Sequence, residues 1–369
     1  MRRTLFALAL LAAHPVGAAE DAPVSAMRDL HAVQSAIAAG REQPAAQAAL
    51  LARMAETWPK LDPSAWTDGR NARALAAYLL NGGDPRPVRP IAEALGPDAE
   101  GGLVAGALFY RDARLDEARA KLGRIDPRAL PPDLGGQVAL VQASLLPPAD
   151  HAGAQARLDL ARLLMPGTLV EEAALRRQIF AAGEDGPPAP FADLVRRYRA
   201  RFRLSAYAAN FERAVSASFA ARWLKADEAG REALAAVASD GPAQGRATLW
   251  AGVARRALLA GRPALAGDAA RRVAGDPSAD EGVRRAANLY GVAAADLAGG
   301  PGAPLQFLSP DGLSAPDRAL RAAALLVGRN VRAPLTAPPA DPSAAKSPDG
   351  RDALIARAER LLNQNRPQP

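Results

Sequence analysis

Adjacent carboxylates such as Glu171 with Glu172 and Asp280 with Glu281 are residues whose type and spacing could serve acid–base chemistry. Such work needs two carboxyls held in different environments, one protonated and one ionised. Both pairs instead fall in the first turns of predicted helices, where negative charge complements the helix dipole. Beyond the leader, histidine is limited to His31 and His151, which are far apart and belong to no H-E-x-x-H motif or His/Asp cluster, so no zinc site is expected. Gly299, Gly300 and Gly302 sit beside prolines rather than between a strand and a helix, which is not a phosphate loop, and no G-x-S-x-G elbow occurs. Cysteine is absent, which excludes thiolate chemistry and disulfides. The expectation is a protein that is not an enzyme, with no catalytic residues, no cofactor and no metal.

Two segments carry polar patterning of another kind. From Arg196 to Arg203 there are five arginines and two aromatics in eight residues. On a helix, Leu194, Val195, Tyr198 and Phe202 form an inward stripe and most of the arginines point out. Arg196, Arg197, Arg199 and Arg201 are therefore the expected electrostatic contact for a partner. The second segment, "MPGTLVEEAALRR" (Met165 to Arg177), reads as a turn at Pro166 and Gly167, a cap at Thr168, a capping box closed by Glu171, and an i,i+4 pair of Glu172 with Arg176. It specifies a sharp helix start, and the Glu171, Glu172 and Arg176 face is a second candidate partner surface.

The elements that must position these residues are helices throughout. About half the chain is hydrophobic, mostly alanine and leucine, the best helix formers, while aromatics are only 5%. Asp68 is placed to cap a helix running to Leu80 with Ala72, Leu75, Ala76 and Leu79 on one face, and Pro85 and Pro87 open the next. Hairpins follow at Leu103 to Leu122 ("GALFYRDARLDEARAKL") and at Ala247 to Val273, and a further helix spans Glu281 to Leu297. Period-two segments rich in Val, Ile and Thr are missing, and the hairpins recur without a fixed period. The fold expected is all-α, an irregular helical-hairpin, tetratricopeptide-like α-solenoid.

Arg2 and Arg3, an apolar run from Thr4 to Ala13, and the small residues Val16 to Ala19 read as a cleaved signal peptide, since the run is half of the ~20 residues a spanning helix needs. The division expected is 1–19 signal peptide, 20–332 helical-repeat solenoid, 333–350 proline-rich linker, and 351–369 a C-terminal amphipathic helix and tail. In that helix Leu354, Ile355, Ala358, Leu361 and Leu362 share one side. Net charge falls from +7 to +5 once Arg2 and Arg3 leave. In the cytoplasm this basicity would suggest nucleic acid; in an exported, periplasmic protein it points to acidic proteins or, weakly, to anionic cell-envelope components, with no stable membrane insertion.

Four blocks, "NARALAAYLLNGGDP" (Asn71 to Pro85), "LPPDLGGQVALVQASL" (Leu130 to Leu145), "LDLARLLMPGTLVEEAALRR" (Leu158 to Arg177) and "LVRRYRARFRLSAYAANF" (Leu194 to Phe211), resemble in that order the periplasmic motility protein C (MotC) family of alphaproteobacterial flagellar systems. The resemblance covers about Ala26 to Leu224 and thins beyond Trp223. It implies a periplasmic protein needed for flagellar rotation, which binds the periplasmic part of the stator protein MotB and supports its folding or placement. No catalysis or cofactor is implied. The alternatives are a scaffold or activator of cell-wall machinery on the same fold, or a cell-wall lytic enzyme, which would need a compact module with its own catalytic glutamate.

Overall fold

Helix starts and stops dictate the architecture. A computed structural model describes residues 22–181, 186–299 and 305–332, and among these there are sixteen α-helices and no β-strand. The predicted leader, the proline-rich segment and the C-terminal amphipathic segment lie outside the described residues. The first helices are α1 (Ala22–Ala38), α2 (Pro44–Thr57), α3 (Gly69–Leu80), α4 (Pro85–Leu95), α5 (Leu103–Arg111) and α6 (Leu115–Leu122). Next come α7 (Pro132–Leu145), α8 (His151–Leu164), α9 (Leu169–Ala181), α10 (Pro188–Phe202) and α11 (Ala208–Lys225). The last are α12 (Glu228–Ser239), α13 (Ala243–Leu259), α14 (Pro263–Ala274), α15 (Glu281–Leu297) and α16 (Ala315–Arg332).

Aspartate side chains cap five of them, Asp68, Asp84, Asp150, Asp227 and Asp280 each accepting a backbone N–H two or three residues on. Each cap satisfies a donor that the first turn leaves without an intrahelical acceptor. Proline opens α2, α4, α7, α10 and α14, where its missing N–H costs nothing. Tight hairpins need small residues at their crossings. A Cβ on Gly106 of α5 would lie 2.7 Å from Leu122 Cγ of α6, so only glycine lets these two helices approach.

The chain is an all-α helical solenoid in which neighbouring helices pack in sequence, as in α5 on α6, α7 on α8, α13 on α14 and α14 on α15. Aromatic side chains gather in both of its larger cores. Trp58 packs against Trp66 and Tyr78 in the N-terminal core, and Phe219, Trp223 and Trp250 form a cluster in the C-terminal core. A simple repeat array touches only its nearest neighbours. Here α1 departs from that rule, packing on α3 and reaching α9, with Leu30 and Ile37 fully buried. Burial of each such side chain stabilises by about 1.5–3 kcal/mol. A polar string adds specificity: Gln34 of α1 donates to Asn81 Oδ1 (2.7 Å), and Asn81 donates to Gln137 Oε1 of α7 (2.7 Å). The first helix thereby ties the early hairpins to the middle of the chain. No helix among the described residues is long and apolar enough to cross a membrane.

Candidate interaction surface

The arginine-rich segment forms α10, and its inward stripe is as the 3.6-residue period predicts. Val195, Tyr198 and Phe202 are buried and Leu194 is half-buried. Tyr198 stacks on Phe211 of α11 at 3.5 Å between ring centroids. Its hydroxyl donates to Glu172 Oε1 of α9 (2.6 Å), and Ser205 Oγ reaches the same carboxylate at 2.8 and 2.9 Å. Burial pushes the Glu172 carboxyl up, opposed by these two hydroxyls and by the Arg176 charge. The Tyr198 hydroxyl is also raised, first by burial and then by its bond to Glu172. Glu172 is thus a lock between α9 and the turn after α10.

The reading of Glu171, Glu172 and Arg176 as a partner face is corrected by this geometry. Glu171 is 3% and Glu172 0% exposed. Glu171 Oε2 accepts the backbone N–H of Gly167 (2.6 Å), one residue before the Thr168 cap that a standard capping box would serve, and receives Arg201 at 3.2 Å. Thr168 Oγ1 accepts from Val170 N (3.3 Å), as a cap should. Instead of forming an exposed i,i+4 pair, Glu172 turns inward, and the Arg176 guanidinium lies over the Tyr207 ring at 5.1 Å. The two carboxylates face into the fold because α10 and its following turn cover the start of α9.

The arginines divide as well. Arg199 leaves the candidate surface: its side chain is 11% exposed, it grips Glu212 of α11 through Nε (2.8 Å) and Nη2 (2.7 Å), and Nη1 donates to the Val237 carbonyl of α12. It joins three helices. Arg196 is exposed and pairs with Asp193 one turn back at 2.5 Å. Arg197 and Arg203 are exposed, with no ion pair among the described residues, and Arg201 is half-exposed over Glu171.

Packing adds residues that sequence reasoning missed. The turn after α1 abuts the turn after α10, where a Cβ on Gly40 would lie 1.9 Å from the Leu204 carbonyl oxygen, and Gly40 itself has φ +69°. Two constraints, a left-handed backbone and a carbonyl at contact distance, therefore require glycine at this junction. The two turns carry Arg41 and Arg203 to the surface beside Leu204, which is 64% exposed. Arg41 and Arg203 flank this junction at the exposed Leu204, and Arg197 and Arg201 lie in the preceding two turns of α10, which makes the junction basic around an apolar residue. Nothing local in the sequence marks Arg41, because its neighbour is more than 160 residues away.

The histidines do not assemble a site. His31 Nδ1 lies 3.3 Å from Asp133 Oδ2, burial holds its pKa below the ordinary value, and His151 is exposed at the start of α8. Among the described residues no three His, Cys, Asp or Glu side chains come together as a metal site. Asp280 and Glu281 are used locally, as the cap of α15 and as an ion pair with Arg285.

A solenoid whose strongest polar groups lock helices together is a scaffold that several families could share, and comparison with known proteins decides among them. The family model described as Chemotaxis protein MotC matches residues 1–367. The chain belongs to the MotC family. A curated relative from Rhizobium meliloti (strain 1021), named Chemotaxis protein MotC, is 31% identical over 365 residues, which is 95% of this chain and 82% of the relative. No solved structure matches. The likeness to MotC extends well past Trp223, where the quoted blocks thin, so the C-terminal hairpins belong to the family pattern as well. Membership places the chain in flagellar motility and chemotaxis as an accessory protein.

Proposed function

We propose that this protein is a periplasmic accessory of the flagellar motor that binds the periplasmic part of MotB and supports its folding or placement. The observation that carries the reading is family membership across the whole chain, joined to the apolar run of residues 4–13 behind Arg2 and Arg3, which we read as an export signal. The basic patch around Leu204 is the surface offered to an acidic, partly apolar segment of that partner. Its guanidiniums are exposed, so the contact is screened over about 8 Å at physiological ionic strength and weakens with added salt.

The test is titration calorimetry of residues 20–369 with the periplasmic domain of MotB from the same organism. Saturable binding that weakens when Arg41, Arg197 and Arg203 are replaced by serine supports both the partner and the surface. Saturable binding unchanged in that variant keeps the partner and refutes the surface. No binding at high micromolar concentration refutes the partner and turns attention to cell-wall machinery.

A further inference from the structure

The last described helix has an outer face that is apolar where a terminal one would be polar. The terminal unit of a solenoid ordinarily presents a polar outer side, because no further unit covers it. In α16 the inward side is formed by Asp317, Leu320 and Ala324 against α15, with Tyr290 donating its hydroxyl to Asp317 Oδ1 (2.5 Å). Both arginines near the front of the helix turn back onto the preceding chain: Arg318 donates to the Leu313 carbonyl, and Arg321 to those of Leu308 and Gln306. What remains outward from 319 to 327 is Ala319, Ala322, Ala323, Leu326 and Val327, all exposed, with Leu326 at 62% and Val327 at 48%. These positions form one strip about two and a half turns long without a charged side chain.

The chain itself supplies a matching partner. At a helical period the sequence of residues 351–362 would put Leu354, Ile355, Ala358, Leu361 and Leu362 on one side and Arg360 on the other. They follow Arg332 after an 18-residue stretch rich in proline and small polar residues. Such a stretch spans on the order of 25 Å as a coil and about 60 Å fully extended. Helix α16 is about 27 Å long, so the segment can lie along it in either direction. Tethering at this length gives an effective concentration in the ~mM range, far above that of a free partner.

We propose that residues 351–362 fold back on the outer strip of α16 and form the closing helix of the solenoid. The inference stands apart from the proposed partner, and it is tested without it. Because the chain has no cysteine, pairs can be introduced cleanly: Ala322→Cys with Ala358→Cys, Ala319→Cys with Ala358→Cys for the other direction, and Ala322→Cys with Ala356→Cys as the control on the opposite side. Under mild oxidation of the full mature chain, at least one Ala358→Cys pair should close within a monomer at least about fivefold more than the control. In a second arm, Leu354→Asp with Leu361→Asp should speed amide exchange at 319–328 by about tenfold or more. Cross-links between chains in place of those within a chain would assign the strip to a second copy and overturn the proposal. Equal yields for positions 356 and 358, or unchanged exchange in the double aspartate variant, would overturn it as well.

Discussion

Arg199→Ser should destabilise the protein while Arg197→Ser with Arg203→Ser should not, although all three residues belong to one run of arginines. Removing Arg199 takes away three hydrogen bonds and leaves the Glu212 carboxylate and the Val237 carbonyl without that donor. A fully buried pair broken on one side costs about 3–5 kcal/mol. Glu212 retains 26% side-chain exposure, so water recovers part of that loss, and about 2–3 kcal/mol is the expected cost. For a chain of this size that corresponds to a fall in Tm of about 3–4 °C. The exposed pair Arg197 and Arg203 should each stay within about 0.5 kcal/mol of neutral. Helical circular dichroism during heating reads both variants on the same scale. An unchanged Tm in Arg199→Ser, or an equal fall in the Arg197 and Arg203 double variant, would refute the division of this helix into a structural and a free arginine set.

Three further perturbations test the packing. Gly40→Ala meets both a left-handed φ and the Leu204 carbonyl, so it should cost at least about 2 kcal/mol, whereas Gly82→Ala, at φ +94° with open space around it, should cost only the conformational term of about 1–2 kcal/mol; denaturant titration of both isolates the close approach. Glu172 has its pKa raised in the fold, so the stability it contributes is complete below the ordinary carboxylate range and is lost as pH rises through its raised value. Glu172→Gln, which stays neutral, should therefore flatten the decline in Tm as pH rises above the ordinary carboxylate range, and an unchanged slope would contradict the burial argument. Asp276 has the opposite sign, held well below the usual range by Arg246 and Ser278, so its contribution is present above about pH 4 and lost as pH falls. The Tm gap between the parent protein and Asp276→Asn should narrow from about pH 5 to about pH 2.

Helix positions were legible in the sequence because their signals are local. Asp68 and the predicted start at Glu281 mark ends that the structure reproduces, and the hairpin from Leu103 to Leu122 falls where its small and large residues place it. The inward stripe of α10 was legible for the same reason, since a period of 3.6 residues needs no knowledge of the partner helix. The direction of polar side chains was not. Glu172 turns inward because Tyr198 and Ser205, 26 and 33 residues later, supply the hydroxyls that replace water around it. Arg199 turns inward because Glu212 and Val237 lie on two other helices. No periodicity within one helix carries that information.

The same reasoning bears on how a chain this basic can hold a specific partner. An arginine count overstates the available charge wherever guanidiniums are committed to joining helices, as Arg199 is to Glu212, Arg246 to Asp276, and Arg89 to Asp112. Those pairs survive added salt better than exposed ones, because partial burial limits screening. The surface left for recognition is therefore smaller than the composition suggests, and its position depends on packing. Around Leu204 it needs the Gly40 turn, which in turn needs α1 seated on α3 and α9. A partner that reads Arg41 and Arg203 together thus reads the assembled junction of the first helix with the tenth, and Gly40→Ala should weaken its binding without removing a single contact residue.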